Sequence, residues 1–337
     1  MKKILYSLTA FLLFSLLFIS CGQKNDTKSF EAMNTFMTIQ AYGKNAAKAN
    51  EEVQNRINII ENAISTTKED SLICILNSGY ESSVKADNDT YNLIDFGLYI
   101  SEKTDGALNI ALYPVTSAWG FTTENYRVPS DEEIRKLLKY TDYSKITLSS
   151  KNEVTLQEGM KLDLGAIGKG FAGDRAIDIL KNNGITSALL DLGGNIQTIG
   201  LKPDGSEWTI GIKNPWDGTI AAGLKINNQA VITSGGYERF FTGDDGKKYI
   251  HIFDSKTGRP VENDLASVSI ITNSGLYGDA LSTALFVMGL DKAIDFWKSN
   301  RDFEMIIITE PGDIYYTANL SEKINLISEF NSINIIR

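Results

Sequence analysis

Three groups of residues in this 337-residue chain have the types and spacing to do chemistry. The first is Leu162-Asp-Leu-Gly-Ala-Ile-Gly-Lys-Gly-Phe-Ala-Gly-Asp174. It reads as a short apolar strand carrying Asp163 and a break at Gly165 and Gly168, with Lys169 between glycines. After Phe171-Ala172 and Asp174, a helix is expected as far as Asn183-Gly184. Backbone N–H groups at a glycine turn, the positive end of a helix and a lysine charge suit an anion, phosphate above all. A tightly packed strand-to-helix turn would use the same residues. The spacing is not that of a G-x-x-x-x-G-K-[ST] loop, and neither Ser nor Thr follows Lys169.

The second group is His251-Ile-Phe-Asp-Ser-Lys-Thr-Gly-Arg-Pro260, which holds the one histidine of the chain. It is expected at a strand end before a polar turn, beside Asp254, where catalytic groups are commonly mounted. A single histidine also serves structural roles. The third group is Asp279, Ser282 and Thr283, at i, i+3 and i+4 of a helix, so that three oxygens share one face. Hard cations such as Mg²⁺ take a carboxylate together with substrate phosphate and water; an ordinary polar first turn is the alternative. Thr233-Ser-Gly-Gly-Tyr-Glu-Arg-Phe240 adds paired glycines that permit close approach of a ligand, or form a bulge in a hairpin. Neither a zinc-spaced His/Cys cluster nor Gly-x-Ser-x-Gly occurs, which argues against zinc-enzyme and serine-hydrolase chemistry.

These groups need a frame to position them. Val53, Ile57, Ile60 and Ile64 follow helical spacing within 45–64. A second helix is expected over Thr90 to Lys103, and a third starts at Ser130, where Ser130-x-x-Glu133 forms a capping box. Gly278 to Met288 makes another helix, closed by Gly289, and Asp291 opens the next. From Ser187 onward, short strands rich in Ile, Val, Thr and Tyr alternate with Pro203-Asp-Gly, Asn227-Asn228, Asp244-Asp-Gly and Pro311-Gly-Asp turns. The expected class is therefore α+β, with antiparallel or mixed sheets and flanking helices.

The amino terminus carries Lys2 and Lys3, an apolar run from Ile4 to Ile19, then Ser20-Cys21-Gly22. That is a secretory signal layout, and Leu17-Phe-Ile-Ser20 before cysteine resembles a bacterial lipobox; an uncleaved anchor is the alternative. The expectation is a lipoprotein signal peptide over 1–20, acylation of Cys21, a polar tether over 21–29 and a single functional domain over 30–325. Such a protein sits in the bacterial cell envelope, tethered to a membrane with its domain outside the cytoplasm. Only Cys74 remains as a second cysteine, so no internal disulfide is available. The net charge of −9 falls to −11 without Lys2 and Lys3, leaving 31 basic against 42 acidic side chains. That balance argues against nucleic acid as a partner.

Taken in order, the segments resemble the ApbE family, the FAD:protein FMN transferases once described as thiamine-biosynthesis lipoproteins. The resemblance runs from Met33 to Ala318. It is carried by Met33-Asn-Thr, Ser71 to Asn77, Asp105-Gly-Ala-Leu-Asn109 through Trp119-Gly-Phe121, the Leu162–Asp174 segment, Gly193-Gly-Asn195, Thr233-Ser-Gly-Gly-Tyr237, His251 to Pro260 and Asp279 to Thr283. It implies an ApbE-like, T-fold-like architecture. Met33, Ala107, Leu108, Asn109, Asp163, Lys169 and Ile252 match FAD-contacting positions. The Ala166 carbonyl, Asp279 and Thr283 match a Mg²⁺ site, and Ser282 stands where a second acid can occur. Thr67 stands where many members carry a tyrosine against the flavin, and Asn34 replaces a glycine at a position open to φ > 0.

The activity so implied is Mg²⁺-dependent transfer of FMN from FAD to a threonine hydroxyl of an exported acceptor flavoprotein, such as an Rnf- or Nqr-type subunit, with release of AMP. His251 is the expected base, oriented by Asp254, while Lys169 and Asp279 serve charge and metal. Hydrolysis of FAD to FMN and AMP, and non-catalytic FAD binding by a lipoprotein, are the competing expectations.

Overall fold

The computed structural model describes residues 25–337; the signal segment and Cys21 lie outside the described residues. Among those described, no helix is long and apolar enough to cross a membrane. A nine-stranded sheet runs through the molecule, and its spatial order is its chain order. Its strands are β1 (Asn25–Ala32), β2 (Thr35–Tyr42), β3 (Ser187–Leu192), β4 (Asn195–Ile199), β5 (Ala230–Gly235), β6 (Leu265–Thr272), β7 (Glu304–Thr309), β8 (Asp313–Thr317) and β9 (Ser332–Ile336). Neighbours are antiparallel except β8 and β9, which are parallel. Asn25–Ser29, expected within a tether, belong to β1, whose Asn25 pairs with Tyr42. The folded unit also continues beyond 325, because β9 completes the sheet edge. Apolar alternation places most of these segments, whereas the start of β1 is hidden by the polar run Asn25-Asp-Thr-Lys-Ser29.

The helices enter as insertions between neighbouring strands. α1 (Ala46–Ile64) and α2 (Asn88–Lys103) come between β2 and β3. So does α3 (Gly165–Asn182). α4 (Gly275–Met288) and α5 (Leu290–Ser299) separate β6 from β7. α1 buries Val53, Ile57 and Ile60, the face its spacing predicts, against Met37, Ile39 and Ala41 of β2. Ser130 caps the helix Asp131–Leu137, its Oγ accepting from Glu133 N–H at 3.2 Å, while the Glu133 carboxylate pairs with Arg127 rather than closing the box.

The opposite sheet face is covered by a three-stranded sheet of Trp208–Lys213, Ile220–Ile226 and Ile324–Leu326. With both faces covered, β6 is buried at every residue, which is why it reads as a near-continuous apolar run. β4 shows the same two-sided burial in alternation: Ile199 faces the helices and Ile196 the small sheet.

One sequence expectation changes here. Leu162 and Asp163 are not in a strand, and the helix begins at Gly165. The extended stretch before it is held by side chains instead: Asn77 Oδ1 accepts from Leu162 N–H at 2.7 Å and Asn77 Nδ2 donates to Leu162 O at 2.8 Å. Gly168, Lys169, Gly170 and Gly173 therefore lie inside α3. The glycines allow close packing on three sides: Gly168 against Ile64 of α1, Gly173 against Gln197 of β4, and Gly170 against α4. A Cβ on Gly170 would fall 2.2 Å from Gly275 O and 2.7 Å from Asp279 Cβ. Backbone cannot yield there, so Gly170→Ala is expected to destabilise by about 3 kcal/mol despite its better helix propensity. Urea unfolding would register this as a lower midpoint at unchanged slope; a wild-type midpoint would refute the tight crossing.

Candidate active site

The crossing of α3 and α4 brings the first and third groups together. Asp279 is 5% exposed, and its Oδ2 accepts from Gly170 N–H at 2.8 Å. In a regular helix that N–H belongs to the carbonyl four residues earlier, Ala166. Regular helix geometry thus directs the Ala166 carbonyl toward the N–H that the Asp279 carboxylate engages. Asp174, one turn further along α3, returns the favour: its carboxylate accepts from Gly275 N–H at 2.5 Å, Leu276 N–H at 3.1 Å and Ser274 Oγ at 2.8 Å. It caps α4, satisfying N–H groups that a helix start leaves unpaired.

Burial pushes the Asp279 carboxyl above the ordinary aspartate range; Lys169's charge and the Gly170 N–H pull it back, and Asp174 pushes it further up. Thr283 Oγ1 lies 3.2 Å from Ser234 Oγ. Ser282 is fully buried, and its hydroxyl is engaged by Ser234 Oγ at 2.9 Å and by Asp279 O at 3.0 Å. Ser282 thus braces the helix turn, so the three oxygens do not present one equal face.

His251 follows the strand Lys248–Ile250. Its backbone N–H and its Nδ1 both lie 3.1 Å from Arg239 O. A carbonyl can only accept, so Nδ1 carries the proton and Nε2 the lone pair. Asp254 does not orient the ring as expected; its Oδ1 accepts from Lys256 N–H at 2.8 Å and shapes the following turn. Burial lowers the His251 pKa to about 4, with the charges of Arg239 and Lys169 acting in the same direction and the Arg239 carbonyl opposing them. Lys169 thus acts on both His251 and Asp279.

Arg239 was not singled out from sequence, although it lies in the Thr233–Phe240 segment. Its guanidinium donates to Phe121 O at 2.7 Å, and its charge partly offsets the burial that raises the Asp163 carboxyl. Asp163 also accepts from Gly165 N–H at 2.8 Å, at the start of α3.

Local contacts tie the residues matched to FAD contacts into the elements around them. Asp163 N–H donates to Ile110 O at 2.8 Å, which lays Ala107-Leu108-Asn109 beside the extended Leu162–Asp163 stretch. Leu108 is buried, and Asn109 has its amide bound to Thr141 O at 2.9 Å and to Ala111 N–H at 2.8 Å. Ser255 Oγ donates to Gly106 O at 2.6 Å and Lys256 pairs with Asp105, clipping the loop after His251 and Ile252 to the same region. Met33 and Asn34 both have positive φ, 50° and 58°, in the β1–β2 turn; Met33, Ala107 and Ala166 pack on one core. Thr35 of that hairpin leaves no room for a Cβ on Gly193 in the β3–β4 turn, which would fall 2.2 Å from its Oγ1. Thr67 is tied into the turn after α1, its N–H donating to Ser65 Oγ at 3.2 Å.

The ApbE family pattern matches residues 33–307. A FAD:protein FMN transferase of Treponema pallidum is 31% identical over 335 residues, covering 91% of this chain and 92% of that protein. One from Klebsiella pneumoniae is 38% identical over 228 residues, covering 66% of this chain and 70% of its own. Among solved structures, the ApbE protein of Thermotoga maritima superposes with a TM-score of 0.83 at 34% identity, covering 89% of this chain and 99% of that one. These similarities agree with the α+β architecture of mixed sheets and flanking helices.

With one histidine in the chain, a proton NMR titration reads His251 without assignment. Its midpoint is expected near 4, against 6.5 for a free imidazole. Between those values the unfolded chain binds a proton that the folded one refuses, so this contribution to stability is complete above pH 6.5 and lost as pH falls through that window. The buried carboxyls act in the opposite sense, so the comparison is wild type minus His251→Gln. A midpoint at 6.5 or above would overturn the neutral, desolvated imidazole.

Proposed function

The chain belongs to the ApbE family, and from that premise we propose that it is a flavin transferase, moving the FMN part of FAD to a threonine hydroxyl of an exported acceptor flavoprotein while AMP leaves. Relatives named FAD:protein FMN transferase support the class of reaction. The observation that carries the reading is the Asp279 carboxylate held on Gly170 N–H in the first turns of α3, with Lys169 acting on both Asp279 and a neutral His251.

The donor set suits Mg²⁺. A buried carboxylate, a backbone carbonyl and the Thr283 hydroxyl are hard oxygen donors that leave places for phosphate oxygens and water. Among the described residues no three His, Cys, Asp or Glu side chains cluster to hold a metal, which fits a cation relying on carbonyl, hydroxyl and substrate oxygens. Bound there, Mg²⁺ would supply positive charge against the FAD pyrophosphate.

Lys169 adds a fixed charge for the same phosphates, and Arg239 sets the His251 tautomer through its carbonyl. The acceptor threonine oxygen attacks the FMN-side phosphorus, and its proton passes to Nε2 of His251. The bond from that phosphorus to the bridging oxygen breaks, AMP leaves with that oxygen, and FMN stays joined by a phosphoester. Such a transfer asks mainly for positioning and charge stabilisation. The basic Lys2-Lys3, the apolar run and Ser20-Cys21-Gly22 support a lipid tether in the bacterial envelope, which would place the site beside exported acceptors of the Rnf and Nqr type.

Purified protein with FAD, Mg²⁺ and such an acceptor subunit is expected to yield a covalently fluorescent acceptor and AMP in equal amounts. An unlabelled acceptor with intact FAD would defeat the reading, and AMP released equally fast without acceptor would replace transfer by hydrolysis. Asp279→Ala is expected to slow labelling about a hundredfold or more; full activity in that variant would remove Asp279 from the cation site.

A further inference from the structure

Two buried amides lie beneath Asp279. Asn195 and Gln197 alternate along β4 and so share the face toward the helices; they are 1% and 3% exposed. Gln197 is wedged into the α3–α4 crossing. A Cβ on Gly173 would fall 2.0 Å from its Nε2, and one on Gly275 would fall 1.8 Å away. That Nε2 donates to Gly170 O at 3.4 Å and to Asn195 Oδ1 at 3.3 Å.

The Gln197 contact fixes which way the Asn195 amide points. With Oδ1 accepting from Gln197, the Asn195 NH₂ must face elsewhere, since the flipped amide would set donor against donor. Asn195 Nδ2 is fully buried and has no hydrogen-bond partner. A buried donor left unpaired costs about 1–3 kcal/mol, a cost that functional sites commonly carry. Gln197 ties Asn195 to the Gly170 peptide, whose N–H engages Asp279 Oδ2, and the Asn195 amide favours the charged form of that carboxylate.

We propose that Asn195 is a positioning residue for the cation site: its Nδ2 closes a hydrogen bond to Asp279 when that carboxylate takes a divalent cation, and Gln197 holds Asn195 in the required orientation. The amide then fixes the carboxylate's direction, as outer partners of metal ligands generally do. The inference rests on the cation reading of Asp279 given above.

The test is binding of Mn²⁺ followed by electron paramagnetic resonance, with no acceptor present, both alone and with ADP as a pyrophosphate probe. Asn195→Leu removes the donor at similar volume; Asn195→Ala gives the same readout if the leucine variant does not fold. The expected result is a cation dissociation constant raised about 10–100-fold, with the metal-free thermal midpoint no lower than that of wild type. Unchanged Mn²⁺ affinity in a folded variant would overturn the inference and leave the transferase reading standing. Unchanged Mn²⁺ affinity with a raised KM for FAD would overturn it in favour of direct substrate contact. Wild-type protein that binds no Mn²⁺ in either condition would overturn both this inference and the cation part of the proposed function.

Discussion

The reciprocal hold between α3 and α4 is the constraint on which the rest of the molecule depends. Asp174 of α3 takes the first N–H groups of α4, and Asp279 of α4 takes an N–H from Gly170 of α3. Each carboxylate sits one turn from a glycine that admits the other helix's backbone. The two helices can approach this closely only where side chains vanish, and the missing volume is filled by the Gln197 amide from the sheet below. Loosening any of these contacts would separate the Ala166 carbonyl from Asp279.

The sheet supplies the floor for this arrangement. Its strands follow one another in space as in sequence, so every functional segment is an insertion between neighbours. The Met33–Asn34 and Gly193–Gly194 turns and the end of β5 at Ser234 and Gly235 lie toward one end of the sheet, as the registers of β2 with β3 and of β4 with β5 require. The loop that carries Arg239 and His251 leaves from that same end. Its position is then fixed by contacts with the helical insertion, through Trp119 Nε1 to Gly258 O at 3.1 Å and Arg239 to Phe121 O.

Electrostatically, the centre is assembled against its own stability. Burial raises the carboxyls of Asp163, Asp174 and Asp279 and lowers the imidazole of His251. An amide donor at Asn195 is left unpaired nearby. A site prepared for an anionic ligand and a cation carries such costs until they arrive, which is the usual relation between stability and activity at functional sites.

Much of this was legible in the chain itself. Periodicity gave α1 and its buried face, the Ser130 cap and the Gly289 stop, because these depend on neighbours three or four residues away. The motif order gave the family, and the i, i+4 spacing of Asp279 and Thr283 placed them on one helix. Other features depended on partners distant in sequence. Gly165 to Asp174 read as a glycine turn because glycines signal turns locally, whereas here they lie in a helix, and Gly170 admits the backbone of a helix distant in sequence. Asp254 looked like the partner of His251 by adjacency, yet the carbonyl of Arg239, twelve residues back, holds the ring. Asn195 and Gln197 carry ordinary strand alternation, and nothing in their spacing reveals a buried amide wedge. Local rules of spacing, capping and charge are written in the chain; which buried polar groups meet is decided only when helices and sheet pack and exclude water from between them.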